Sequence, residues 1–159
     1  MPLITAWSTP RVELPTALER RWQALRILEG RGQAAGEKAL QAEHGVSASE
    51  YAALAALAYS NDGGHLRQQT LADAIPLNQS SVSRLVGRLE KLGLTERYLC
   101  ATDRRGVYTQ ITEQGRALVA AAHDTYLRAL DAALDQAVAE DDLGPVVAFI
   151  RSDGAPSAG

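Results

Sequence analysis

The chain has few large rings: aromatic residues make up 5% of its 159 residues, and Phe149 is the sole phenylalanine. Its core must therefore be built from Leu, Ala, Val and Ile, and Ala- and Leu-rich chains favour helix. Cysteine is nearly missing. Cys100 stands alone, which excludes a disulfide framework within the chain and a Cys-rich zinc site. Long apolar runs are missing too: the longest, Tyr51 to Tyr59, is nine residues, whereas a membrane span needs about 20. Met1 to Pro10 lacks the charged and apolar regions of a secretory leader. Together these absences predict a soluble, cytoplasmic protein without a membrane partner. There is no P-loop, no Gly-x-Ser-x-Gly elbow and no His-Glu-x-x-His, so a non-enzyme without cofactors is expected. Gly30-Arg31-Gly32-Gln33-Ala34-Ala35 imitates a dinucleotide fingerprint, but it follows a helix instead of a strand and lacks the phosphate-cradling geometry.

The net charge of −3 hides an uneven distribution. Residues 1–77 carry 7 basic and 8 acidic side chains, and residues 113–159 carry 3 and 8. Residues 78–112 are different, with Arg84, Arg88, Lys91, Arg97, Arg104 and Arg105 against Glu90, Glu96 and Asp103. A basic middle between acidic flanks suits a local polyanion-binding surface, because association follows the nearby field more than the net charge. A length of 159 residues indicates one domain. Alanine-lined helices leave a thin core per chain, which predicts apolar faces completed by a second copy.

Along the chain, Leu14, Leu18, Trp22, Leu25 and Leu28 recur at helical spacing behind a Thr16/Glu19 capping box. This helix extends towards Ala42, and Gly30, Gly32 and Gly36 predict a break or hinge within it. Ser47 and Glu50 form a second box ahead of a helix ending near Tyr59, and Asn61-Asp62-Gly63-Gly64 is a turn. A short helix is expected over 68–74, closed by Pro76. Asn78 then caps a helix whose Val82, Leu85, Val86, Leu89 and Leu92 share one face, with Gly93 at its C-terminal stop. Residues 94–99 and 106–111 alternate as strands around a polar, basic tip, so a β-hairpin is predicted. Thr112 opens a long helix to about Val138, and a last helix is expected over 142–150.

A short helix, a turn, a second helix and a basic hairpin make a winged helix-turn-helix. The expected class is mainly α with a small β-hairpin wing and a helical dimerisation region. The winged lobe is assigned to residues 61–112, the dimerisation region to 11–60 and 113–151, and a flexible tail to 152–159. The second helix of such a unit fits the major groove of double-stranded DNA, its N-terminal residues reaching base edges. Gln79, Ser80, Ser81 and Ser83 are short enough for close approach, and Arg84 suits guanine or phosphate. Arg88 and Lys91 are placed for backbone contacts or are plain surface charges.

Residues 66–115 also resemble the MarR family of bacterial transcriptional regulators, and the helix order extends the likeness over roughly 14–150. The carriers are Ser81-Val82-Ser83-Arg84-Leu85 in the second helix and the wing run Asp103-Arg104-Arg105-Gly106 through Ile111-Thr112-Glu113-Gln114-Gly115. The resemblance implies that Arg105 enters the minor groove, that Asp103 orients it, and that a homodimer forms from the first helix and the last two. It implies a repressor of a pseudo-palindromic operator, relieved by a small aromatic or phenolic effector. Trp22, Arg26, Tyr51, Tyr59, His65 and Arg97 are candidates to line an effector cleft, with ordinary core or surface roles as the alternative for each. Some relatives of that family sense peroxide or bind zinc. Here Cys100 ends a wing strand and is read as an inert thiol, and His44, His65 and His123 share no ligand spacing, so no metal site is assigned. The rival reading is a winged helix that binds protein and has no specific DNA affinity.

Overall fold

The computed structural model describes residues 13–99, 101–102 and 106–152. The elements in chain order are α1 (Ala17–His44), α2 (Ala48–Ala58), β1 (His65–Arg67), α3 (Gln68–Ala74), α4 (Gln79–Lys91), β2 (Thr95–Tyr98), β3 (Tyr108–Ile111), α5 (Glu113–Ala137) and α6 (Gly144–Arg151).

Both predicted capping boxes form. The Thr16 hydroxyl accepts from the Glu19 N–H at 3.2 Å and the Glu19 carboxylate accepts from the Thr16 N–H at 2.6 Å. Ser47 and Glu50 repeat the exchange at 3.0 and 2.9 Å. Each box satisfies two backbone donors that a helix start leaves unpaired. At the other end of α1, Gly45 takes a left-handed backbone, with φ at 69°, which glycine adopts without steric cost.

The expected break in α1 does not occur. It runs unbroken for 28 residues through Gly30, Gly32 and Gly36. Packing supplies the reason at two of the three. A Cβ on Gly32 would lie 3.1 Å from Leu130 Cδ1, and one on Gly36 would lie 2.9 Å from the Tyr126 ring. These glycines make a notch in which α1 meets α5 closely, and close packing offsets their poor helix propensity.

The sheet has the order β1-β3-β2, with both pairings antiparallel. Thr95 faces Ile111 and Tyr98 faces Tyr108 in the predicted hairpin. Its strands are shorter than the expected 94–99 and 106–111. The third strand, β1, pairs His65 with Gln110 and Arg67 with Tyr108. Three residues are too few for alternation to reveal, so this strand is a product of the pairing itself.

Two apolar clusters hold the chain. The larger joins Leu40, α2, α3, α4, Ile111 and the start of α5, with Leu54, Leu57, Leu71, Val82 and Leu89 fully enclosed. The smaller consists of Ala24, Leu28, Leu134, Ala137, Leu143 and Val147. The rest of the predicted α1 stripe is not covered within the chain: Leu18 is 77% exposed and Trp22 61% exposed. Phe149 on α6 is 79% exposed. Leu92, expected on the buried face of α4, is also exposed because it lies past the last helical turn. No described helix is long and apolar enough to cross a membrane.

Candidate nucleic-acid interface

Helix α4 is fixed at both ends by local chemistry. Asn78 Oδ1 accepts from the Ser81 N–H at 2.9 Å and from the Ser80 hydroxyl at 2.8 Å. The Gln79 side-chain amide donates to Gln69 Oε1 at 2.7 Å, tying the start of α4 to α3. At the far end the Leu94 N–H donates to the Leu89 carbonyl and the Gly93 N–H to the Glu90 carbonyl, both at 3.0 Å. That pair of bonds is a Schellman stop, and the φ of 72° at Gly93 suits glycine.

Val82, Leu85, Val86 and Leu89 bury one face of α4. The opposite stripe, at helical spacing i, i+4, i+7 and i+11, carries Ser80, Arg84, Gly87 and Lys91. Ser80, Ser83, Arg84 and Lys91 are exposed, and Ser81 is half-buried. A Cβ on Gly87 would meet nothing within 4 Å, so no neighbour inside the chain calls for glycine there. The stripe is low at Ser80 and Gly87 and cationic at Arg84 and Lys91. Arg88 sits to one side of it and is ion-paired with Glu50 of α2.

The wing is built on an aromatic cluster. The His65 ring lies 4.6 Å from Tyr98 and 5.7 Å from Tyr108, centroid to centroid. Arg67 Nε donates to the Tyr108 hydroxyl at 3.0 Å. Thr112 and Gly115 join the wing to α5. The Thr112 hydroxyl donates to the Gly93 carbonyl at 2.7 Å and accepts from the Gly115 N–H at 3.1 Å. A Cβ on Gly115 would lie 2.2 Å from the Leu94 carbonyl oxygen. The Thr-x-x-Gly run therefore has a local cause: Thr112 caps α5 and ties it to the turn after α4, and only glycine lets α5 start that close to Leu94. Asp103, Arg104 and Arg105 lie outside the described residues, as does Cys100.

The six candidate cleft residues fall in different places. Trp22 lines an open cavity of about 630 Å³ with Pro15, Gln23, Ile27, Glu140 and Leu143. Arg26 is exposed on α1. Tyr51 belongs to the core, its ring 5.0 Å from that of Tyr126 and its hydroxyl 3.4 Å from His123 Nδ1. Burial raises the Tyr51 phenol above its ordinary pKa, with smaller contributions from Tyr59 and Tyr126. Tyr59 is exposed at the end of α2, His65 stacks in the wing, and Arg97 is 3.4 Å from Glu90. Nor do the histidines meet: His44 Nε2 is 3.0 Å from the Thr125 hydroxyl, His123 is beside Tyr51, and His65 is in the wing. The described residues hold no cluster of three metal-ligating side chains.

Sequence reasoning missed the Arg88–Glu50 pair. The one available signal was a capping-box glutamate, which speaks only of its own helix.

A helix-turn-helix flanked by the strands of a three-stranded antiparallel sheet, β1 before it and β2 and β3 after, and carried on long helices from both chain ends, defines a winged-helix architecture. Residues 44–106 match the model of the MarR family, and the chain carries the winged-helix fold of that family's transcriptional regulators. It is similar to AbsC, a MarR family transcriptional regulator from Streptomyces coelicolor, at 24% identity, with 88% of this chain and 94% of that one covered and a TM-score of 0.69. A second MarR family regulator from the same organism, solved in complex with DNA, is 24% identical, with 93% and 95% covered and a TM-score of 0.68. BpsR from Bordetella bronchiseptica, whose DNA binding is regulated by 6-hydroxynicotinic acid, is 21% identical, with 87% and 96% covered and a TM-score of 0.66. At these identities the structures share the fold.

Proposed function

We propose that this chain is a cytoplasmic, sequence-specific DNA-binding transcriptional regulator that acts as a homodimer. The observation that carries the reading is α4: a doubly capped helix, apolar on one face, whose opposite face offers Ser80, Ser83, Arg84 and Lys91 around an unfilled Gly87. Such a face fits the major groove, since short side chains let the backbone approach while arginine reads guanine or holds phosphate. Gln79 and Ser81 flank the entering end. Asp103, Arg104 and Arg105, which fall between β2 and β3 in the sequence, are assigned to the neighbouring minor groove, where arginine favours narrow A·T-rich segments by shape. Similarity to a regulator solved on DNA supports this assignment.

The exposed Leu18, Trp22 and Phe149 support the dimer, with α1, α5 and α6 forming its two-fold interface. Two recognition helices related by that axis read half-sites about 10 bp apart, or a multiple of that spacing. A small aromatic or phenolic effector relieves repression by changing the separation of the two helices. The likeness to a regulator controlled by 6-hydroxynicotinic acid supports an effector of that chemical class.

The test is selection from a randomised duplex pool, with fluorescence anisotropy at two salt concentrations. Enrichment of a palindrome, with affinity falling steeply as salt rises, is expected. Arg105→Ala flattens the log–log salt slope by about one unit, the loss of one phosphate-linked charge. Arg84→Ala changes the preferred bases instead. Weak binding without an enriched site would overturn the reading in favour of a protein-binding winged helix.

A further inference from the structure

Glu50 is the one acidic or basic side chain that is buried among the described residues, at 2% exposure. One of its oxygens accepts from the Ser47 N–H at 2.9 Å and closes the cap of α2. The other is ion-paired with Arg88 of α4. A buried carboxylate is tolerated when both oxygens are bonded, and it is costly when one is left without a partner. The same turn of α2 is held from α1 as well, where Glu37 accepts from the Ala48 N–H at 2.6 Å. The N-terminus of α2 thus sits between a carboxylate of α1 and an ion pair to α4.

We propose that Glu50 is a positioning residue for DNA recognition, and that it withdraws Arg88 from the phosphate-contacting set to fix the rotation of α4 against α2. The proposal rests on the DNA-binding reading above. Arg84 and Lys91 lie on the outward stripe and have no ion pair among the described residues, whereas Arg88, one step to the side, is held from within the chain. A cation already neutralised by a buried carboxylate releases no counterion when DNA arrives, so it adds nothing to the salt dependence of binding. Its contribution is angular: it sets which way the outward stripe faces.

Two substitutions separate this role from a phosphate contact. Glu50→Gln keeps the cap, because glutamine serves the same capping position, but it removes the charge that holds Arg88. On the full-length chain, salt slopes are measured on the selected operator and on random duplex, with Arg105→Ala as the reference for losing one phosphate contact. Arg88→Ala is expected to leave the slope unchanged while preference for operator over random duplex falls about tenfold, the scale of one charged hydrogen bond. Glu50→Gln is expected to steepen the slope by about one unit as Arg88 becomes free for phosphate. Its affinity for random duplex rises and its discrimination falls. If Arg88→Ala misfolds, the pair Glu50→Gln with Arg88→Gln removes both charges and should fold, with an unchanged slope and reduced discrimination.

A slope flattened by Arg88→Ala as much as by Arg105→Ala would overturn the proposal. So would a Glu50→Gln protein that matches the unaltered chain in slope and discrimination. Either result leaves DNA binding itself standing. No salt-dependent affinity of the unaltered chain for any duplex would overturn both readings together.

Discussion

The winged lobe and the helical end of this chain are held together differently. The winged lobe and helix α2, on which it packs, enclose a core within one chain: fully buried Leu54, Leu57, Leu71, Val82 and Leu89 are gathered from α2, α3 and α4. The helical end encloses little more than Ala24, Leu28, Leu134, Ala137, Leu143 and Val147. It leaves Leu18, Trp22 and Phe149 in solvent and is clasped by charges, with Arg31 on Glu140 and Arg151 on Asp131 and Asp135. Each large apolar side chain left exposed forgoes about 1.5–3 kcal/mol of burial. One region covers most of its apolar side chains within the chain, whereas the other leaves large ones uncovered. The lesson is that amphipathic patterning alone does not say whether the covering surface belongs to the same chain.

Breaking the covered region has the largest expected effect. Gly115→Ala places a Cβ 2.2 Å from a backbone oxygen that cannot swing aside. It should cost about 3 kcal/mol, the upper end for overpacking, read as a lower midpoint in urea unfolding. The uncovered region should respond oppositely. Leu18→Ser with Phe149→Ser removes two exposed apolar groups, so light scattering should report a monomer while circular dichroism retains the helical signal. A protein that stays dimeric would show that the two-fold interface lies elsewhere.

A sharper contrast lies within α1. A Cβ on Gly30 would meet nothing within 4 Å, so Gly30→Ala should stabilise by about 1 kcal/mol through helix propensity alone. Gly36→Ala should not gain that amount, because its Cβ would press on the Tyr126 ring at 2.9 Å. Equal gains in thermal unfolding would mean that the α1–α5 notch yields freely.

The smallest effect concerns acid. Hydrogen bonds from Thr16 lower the Glu19 carboxyl below its ordinary value of 4.5, and a hydrogen bond from Arg31 does the same to Glu140. A depressed folded pKa gives stability that is present above the unfolded value and lost as pH falls through the folded one. Both groups are exposed, so the change should be slight and confined to pH below about 4.5. NMR titration should place both midpoints below that of a free glutamate. Arg31→Ala should raise the Glu140 midpoint and leave that of Glu19 in place.

Much of the winged lobe was legible in the sequence because its signals are local. A cap such as Asn78, the periodic Val82, Leu85, Val86 and Leu89, and the stop at Gly93 act within a dozen residues, and α3 and α4 form where those signals place them. Gln79, Ser80, Ser83 and Arg84 were legible as an outward face for the same reason. The six effector candidates were chosen by residue type, and residue type carries no position in space. They lie in the core, at the exposed end of α2, in the wing and on the outer part of α1.

By itself the sequence determined the helices, their caps, the hairpin and the polar face of α4, since each depends on neighbours three or four residues apart. Only the tertiary structure decided the rest. It kept α1 unbroken because α5 fills the notch at Gly32 and Gly36. It made a strand of His65–Arg67 because β3 offered an edge. It also joined Glu50 to Arg88 across 38 residues, because a buried carboxylate must take whatever cation the fold brings within reach.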